Sequence, residues 1–258
     1  MSMTSPTASA LALSSLTAVA AGLMGCFALM RRMTLAADAL SHVALPGIGL
    51  ALLLGFHPLP GALAALLAGA VLVWLLERRT GISTETVVGV VFSAALAVGA
   101  LLTTGEELMD ALFGRPVALG AFEMAAGAVG AAAVVGFALL ARDRLVVALV
   151  SPDIARTSGI DVPRLNLLFL VAFAVTVALG LRYLGVLLMG SLLIIPAATA
   201  RHLARNLRGM LAVSVALAVV ATVAGTYLAA ALGRESGPVI VTIAAGMFAL
   251  ASLYRPGR

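Results

Sequence analysis

Apolar stretches long enough to cross a lipid bilayer follow one another along almost the whole chain, and this succession constrains the fold more than any other feature. They occupy approximately 10–30, 35–55, 60–76, 86–103, 120–141, 165–181, 184–200, 210–232 and 238–254. A helix needs about 20 predominantly apolar residues to span roughly 30 Å of hydrocarbon. In lipid the backbone must satisfy its own hydrogen bonds, so stretches of this kind fold as helices. The expected architecture is an all-α, polytopic transmembrane bundle of about eight or nine spans, a single transmembrane domain over 1–258. The count is open by one because 184–200 is short and contains Pro196, while 35–55 contains Pro46 and several glycines. Either segment is a candidate for a broken or re-entrant helix.

Composition excludes several classes. With 62% hydrophobic and 10% charged residues, the chain cannot cover a water-facing surface, since soluble domains carry about a quarter charged residues. The net charge of +5 does not indicate nucleic acid, because the arginines sit in small groups at the ends of apolar runs, where they read as topology signals. The single cysteine, Cys26, rules out an internal disulfide and a multi-cysteine metal site. There is no lysine, so no GxxxxGK[ST] loop exists and ATP is not expected to bind this chain itself. The leading MSMTSPTASA lacks a basic n-region, and the first apolar run is expected to be a retained span.

Arginine groups follow alternate spans, at Arg31/Arg32, Arg78/Arg79, Arg142 to Arg164, Arg201 to Arg208 and Arg255/Arg258, whereas Glu106, Glu107 and Asp110 fall on the other side. By the positive-inside rule the C-terminus is cytoplasmic and the N-terminus outside. These arginines are read as orienting the bundle only. Small residues such as Gly127, Gly130 and Gly136 suit close helix packing in lipid. No internal repeat is evident.

Asp38 and His42 lie in ADALSHVALPG, near the start of the second run. At i and i+4 on a helix they differ by about 40° of rotation and one turn of rise, so both point the same way. An ionisable side chain at membrane depth costs about 2.5–3.5 kcal/mol on insertion scales and usually faces a partner or a watery cavity. Carboxylate oxygen with imidazole nitrogen suits Zn(II), Mn(II) or Fe(II) and suits Cu(I) poorly. Two ligands per chain would make a weak transit site, completed by water, Ser41 or a second copy. On the residues alone a second reading stands beside this one, in which Asp38 caps or orients its helix and His42 bonds a nearby backbone group.

The longest polar interruption, SPDIARTSGIDVPR (151–164), is bracketed by Pro152 and Pro163, which predicts a short helix outside the bilayer. Ala155 and Gly159 are expected to share one of its faces, small enough for another protein to approach closely. His57 in GFHPLPG reads as a solvated loop residue, His202 as an interfacial anchor, and Glu85 and Glu123 as caps or rim residues.

Four segments together resemble the permeases of the zinc/manganese/iron branch of ATP-binding-cassette importers: RRMTLAADALSHVALPGIGLALLLG, DIARTSG, GVLLMGSLLIIPAATARHLAR and SGPVIVTIAAGMFAL. The resemblance covers nearly the whole chain, in order. It implies a type II importer permease in a prokaryotic cell membrane, working as a homodimer with two cytoplasmic ATPase subunits and an extracytoplasmic metal-binding protein, and no permanently bound cofactor. It places Asp38 and His42 at the pathway metal site. It also makes the cytoplasmic loop of about 142–164, with Asp153, Ala155 and Gly159, the segment that docks on the ATPase. The rivals are an ion-gradient carrier using Asp38 and His42 as a proton relay, and an intramembrane hydrolase using Ser41 and His42. Adjacent residues on a helix point about 100° apart, which is poor geometry for direct proton transfer in the second case.

Overall fold

The computed structural model describes residues 8–102, 120–184 and 186–253. Among them there is no strand, and the elements in chain order are α1 (Ala8–Met30), α2 (Thr34–His42), α3 (Ala44–Leu53), α4 (Pro58–Thr80), α5 (Thr84–Leu102), α6 (Ala121–Leu140), α7 (Arg142–Val150), α8 (Pro152–Thr157), α9 (Val162–Leu184), α10 (Val186–Leu203), α11 (Leu207–Leu232) and α12 (Ser236–Leu253). Seven helices, α1, α4, α5, α6, α9, α11 and α12, contain stretches long and apolar enough to cross a membrane. The expected second span, 35–55, is instead two short helices, α2 and α3, and the expected span at 184–200 is α10 with Pro196 inside it. The acidic group Glu106, Glu107 and Asp110 and the terminal Arg255 and Arg258 lie outside the described residues.

α1 is the central helix. Its spanning stretch is 72% buried and that of α9 56%, against 22–33% for the other five, so the remaining helices ring these two and present apolar faces outward. α1 packs against α11, α10, α6 and α9. Without an apolar driving force between helices in lipid, close backbone approach and interhelical hydrogen bonds must hold such contacts. Gly25 lets α1 touch the Leu193 backbone of α10. Gly47 and Gly61 face each other across α3 and α4. Ser214 Oγ of α11 donates to the Gly22 carbonyl of α1 at 2.8 Å, and the buried Cys26 thiol lies 3.7 Å from the Met210 carbonyl.

The break between α2 and α3 follows from the sequence. Pro46 has no N–H to give the carbonyl four residues earlier, that of His42, and its ring crowds that turn. The ladder tightens there to a Val43 N–H to Leu40 carbonyl bond of 3.1 Å. At the other end α2 is set off from α1 by a Schellman-type turn, with Met33 N–H bonding the Ala28 carbonyl at 2.9 Å and Arg32 at φ 59° in the left-handed position usually given to glycine. α2 is thus a nine-residue helix suspended between two interruptions.

Candidate metal pathway and docking segment

Asp38 and His42 both lie on α2, one turn apart as expected. His42 Nδ1 is 3.0 Å from the main-chain carbonyl oxygen of Asp38. A carbonyl only accepts, so Nδ1 carries a proton, and in the neutral imidazole the Nε2 lone pair is left to ligate. A main-chain acceptor on the second nitrogen is the usual way of fixing a metal-binding histidine. The arrangement accommodates both readings of the pair, because the same bond that satisfies one ring nitrogen prepares the other.

Two residues not singled out by sequence reasoning shape the pair. Phe92 of α5 meets the His42 ring edge-on, with centroids 5.5 Å apart and planes at 75°. Gly190 of α10 lies against Asp38 so closely that a Cβ there would sit 2.9 Å from Oδ1 and 3.2 Å from the Asp38 Cα. Asp38 is exposed and His42 partly so, while Ser41 between them is buried. No group of three or more His, Cys, Asp or Glu among the described residues is arranged to hold a metal.

The predicted short helix within 151–164 is α8, separated from α9 by residues 158–161. Ser151 caps it by accepting from the Ile154 N–H at 3.4 Å, with Pro152 in the first turn. Asp153 faces Arg156 at 3.3 Å. The expectation for Ala155 and Gly159 needs correcting. The helix ends at Thr157, and Gly159 sits beyond it at φ 77°, closing a turn in which Ile160 N–H bonds the Ala155 carbonyl at 2.9 Å. Ala155 is fully buried, and the apolar side chain presented outward is Ile154, 59% exposed. The two small residues therefore do not form one exposed face.

The reading of Arg31 as a topology signal alone also needs correcting. Its guanidinium stacks 4.2 Å above the Phe169 ring centroid, and Nη1 donates to Asn166 Oδ1 at 2.8 Å. Asn166 Nδ2 lies 3.5 Å from Glu77 Oε1. Burial lowers the guanidinium to about 10, opposed by the Glu77 charge, so it remains charged at neutral pH. Arg31, Arg32, Glu77, Ser83, Thr84 and Glu85 border a cavity of about 520 Å³, which Asp38 and His42 do not line. His57, expected as a solvated loop residue, is exposed and also caps a helix, and Glu123 is a cap as expected. His57 accepts from the Leu59 N–H at 3.3 Å at the start of α4, and Glu123 accepts from the Gly120 N–H at 3.2 Å before α6.

Similarity to known proteins covers the chain almost end to end. Residues 3–255 match the model of the ABC 3 transport family. The high-affinity zinc uptake system membrane protein ZnuB of Haemophilus influenzae is 31% identical over 91% of this chain and 92% of its own length. The manganese transport system membrane protein MntC of Halalkalibacterium halodurans is 29% identical over 93% and 84%. Among solved structures, PsaBC from Streptococcus pneumoniae in complex with Fab superposes with a TM-score of 0.81 at 27% identity, covering 96% of this chain and 91% of the other. Family match, relatives and fold agree on one assignment, and the chain belongs to the ABC 3 transport family.

Proposed function

We propose that this chain is the membrane permease of an ATP-driven importer of a divalent transition metal, zinc or manganese, with iron compatible with the same donors. The observation that carries the proposal is the ligand-ready pair on α2, with His42 Nδ1 engaged by the Asp38 carbonyl, in a chain similar from end to end to zinc and manganese transport proteins. In this reading α2 with α3 forms one broken span and α10 another. Added to the seven long apolar helices, they make nine spans and leave the C-terminus in the cytoplasm of a cell membrane.

Two permeases pair, two ATPase subunits bind their cytoplasmic α8 segments through Asp153, Ile154 and the Gly159 turn, and an extracytoplasmic protein delivers the ion. Nucleotide binding draws the segments together and alternates access to the Asp38 and His42 site. Two donors per chain hold the ion weakly enough to release it. The hydrolase rival loses support because Ser41 is buried and its neighbour His42 on α2 points about 100° away from it. The ion-gradient rival loses support from membership of an ABC family.

The test is accumulation of Zn(II), Mn(II) and Fe(II) in cells with and without this gene. ATP-dependent accumulation of at least one ion that disappears on deletion is expected. Equal accumulation of all three would refute the assignment.

A further inference from the structure

The first two turns of α9 carry a stripe of contacts to two other helices. The Pro163 carbonyl accepts from Trp74 Nε1 of α4 at 2.8 Å. One turn on, Asn166 bonds both Arg31 at the end of α1 and Glu77 of α4. One turn further, Phe169, fully buried, lies beneath the Arg31 guanidinium. Positions 163, 166 and 169 recur every three residues and so face the same side of the helix. A partly buried charge held by a ring face and a hydrogen bond is directional. Its partners fix where α9 sits against α1 and α4, which apolar packing of the same volume would do less strictly.

Both ends of this contact lead to the transport machinery. α9 begins five residues after α8 ends, so its first turn follows any movement of the docking segment. Arg31 immediately precedes the left-handed Arg32 turn, beyond which α2 carries Asp38 and His42. Glu77 Oε2 is buried without a hydrogen-bond partner among the described residues. The network is therefore tied firmly through Asn166 and less completely at its acidic end, as suits a joint that rearranges between states.

We infer that Arg31, Asn166 and Glu77 form the link that carries movement of the docking segment to the helix bearing the metal pair, which makes them positioning residues for transport. The inference rests on the proposed roles of Asp38, His42 and residues 151–159. Breaking the link leaves metal binding and ATP hydrolysis in place and separates them from each other.

The experiment uses the complete complex of permease, ATPase and metal-binding protein in proteoliposomes, with ion uptake and ATP hydrolysis measured together. Asn166→Leu removes both hydrogen bonds at nearly constant volume. It is expected to assemble, to hydrolyse ATP within about threefold of the parent, and to lower the ions moved per ATP at least tenfold. Glu77→Leu, which removes the bond from Asn166 and the charge facing Arg31, is expected to lower the ratio about threefold, and it carries the test if Asn166→Leu does not assemble. A parental ratio in either assembled variant overturns the inference, as does a parallel fall of uptake and hydrolysis. Asp38→Ala in the same preparation separates the two levels of the argument. Full uptake by that variant refutes the metal-pair reading, whereas no uptake with a parental ratio in Asn166→Leu refutes the link alone.

Discussion

Gly190→Ala tests the geometry of the proposed metal pair with one added carbon. The new Cβ would lie 2.9 Å from Asp38 Oδ1 and 3.2 Å from both Asp38 Cα and Cβ. Rotating the carboxylate away relieves only the first contact, so α10 and α2 must separate by a few tenths of an ångström or Asp38 must shift along its helix. Overpacking of this kind costs about 1–3 kcal/mol. Replacing glycine by alanine inside a helix returns up to about 1 kcal/mol on scales from soluble helices. Global stability therefore falls by about 3 kcal/mol at most and the complex assembles, while the strain concentrates at Asp38. If the strain falls wholly on the state that holds the ion, uptake efficiency drops about 5- to 150-fold, at 1.4 kcal/mol per tenfold. The assay is initial-rate ion uptake in proteoliposomes, with Gly136→Ala as the control, since a Cβ at 136 meets nothing within 4 Å. In an Asp38→Ala background the substitution should add little, because coupled residues are not additive. Parental uptake by Gly190→Ala would refute the reasoning, and so would an equal further loss in the Asp38→Ala background.

Other substitutions separate packing, docking and ligand orientation. Phe92→Ala removes an aromatic contact of about 0.5–1.5 kcal/mol from His42, so apparent ion affinity should weaken roughly two- to twelvefold in a titration of uptake rate, with assembly intact. Ile154→Glu places a charge on the exposed apolar side chain of the proposed docking helix and should reduce co-purification of the ATPase at least tenfold, whereas Ser151→Ala, which removes the N-cap worth about 1 kcal/mol, should reduce it only a few-fold. Gly25→Val drives a branched side chain into the Leu193 backbone and should abolish accumulation of folded permease, read by detergent-extracted yield.

The parts of this molecule that depend on neighbours in sequence were readable from it. Apolar length marked the long helices, Pro46 marked 35–55 as a candidate broken helix without placing the break, and the four-residue spacing of Asp38 and His42 set their common direction. The α8 helix was readable from its bracketing prolines, but its exposed side was not. Burial of Ala155 depends on how α8 packs on its surroundings, and sequence spacing carries no information about that. The same limit hid Arg31. An arginine at the end of an apolar run is most simply a topology signal, and its partner Asn166 is 135 residues away. Phe92 and Gly190 likewise reach His42 and Asp38 from α5 and α10, helices whose registers against α2 are fixed only in the assembled bundle.

The most direct measurement of the central claim is ATP-driven ion accumulation by proteoliposomes holding the full complex, with the parent compared with Asp38→Ala and His42→Ala. Zinc or manganese should accumulate in the parent, and both variants should hydrolyse ATP and retain all subunits while accumulating none. Undiminished accumulation in both variants, or accumulation by the permease in the absence of the ATPase, would contradict the account.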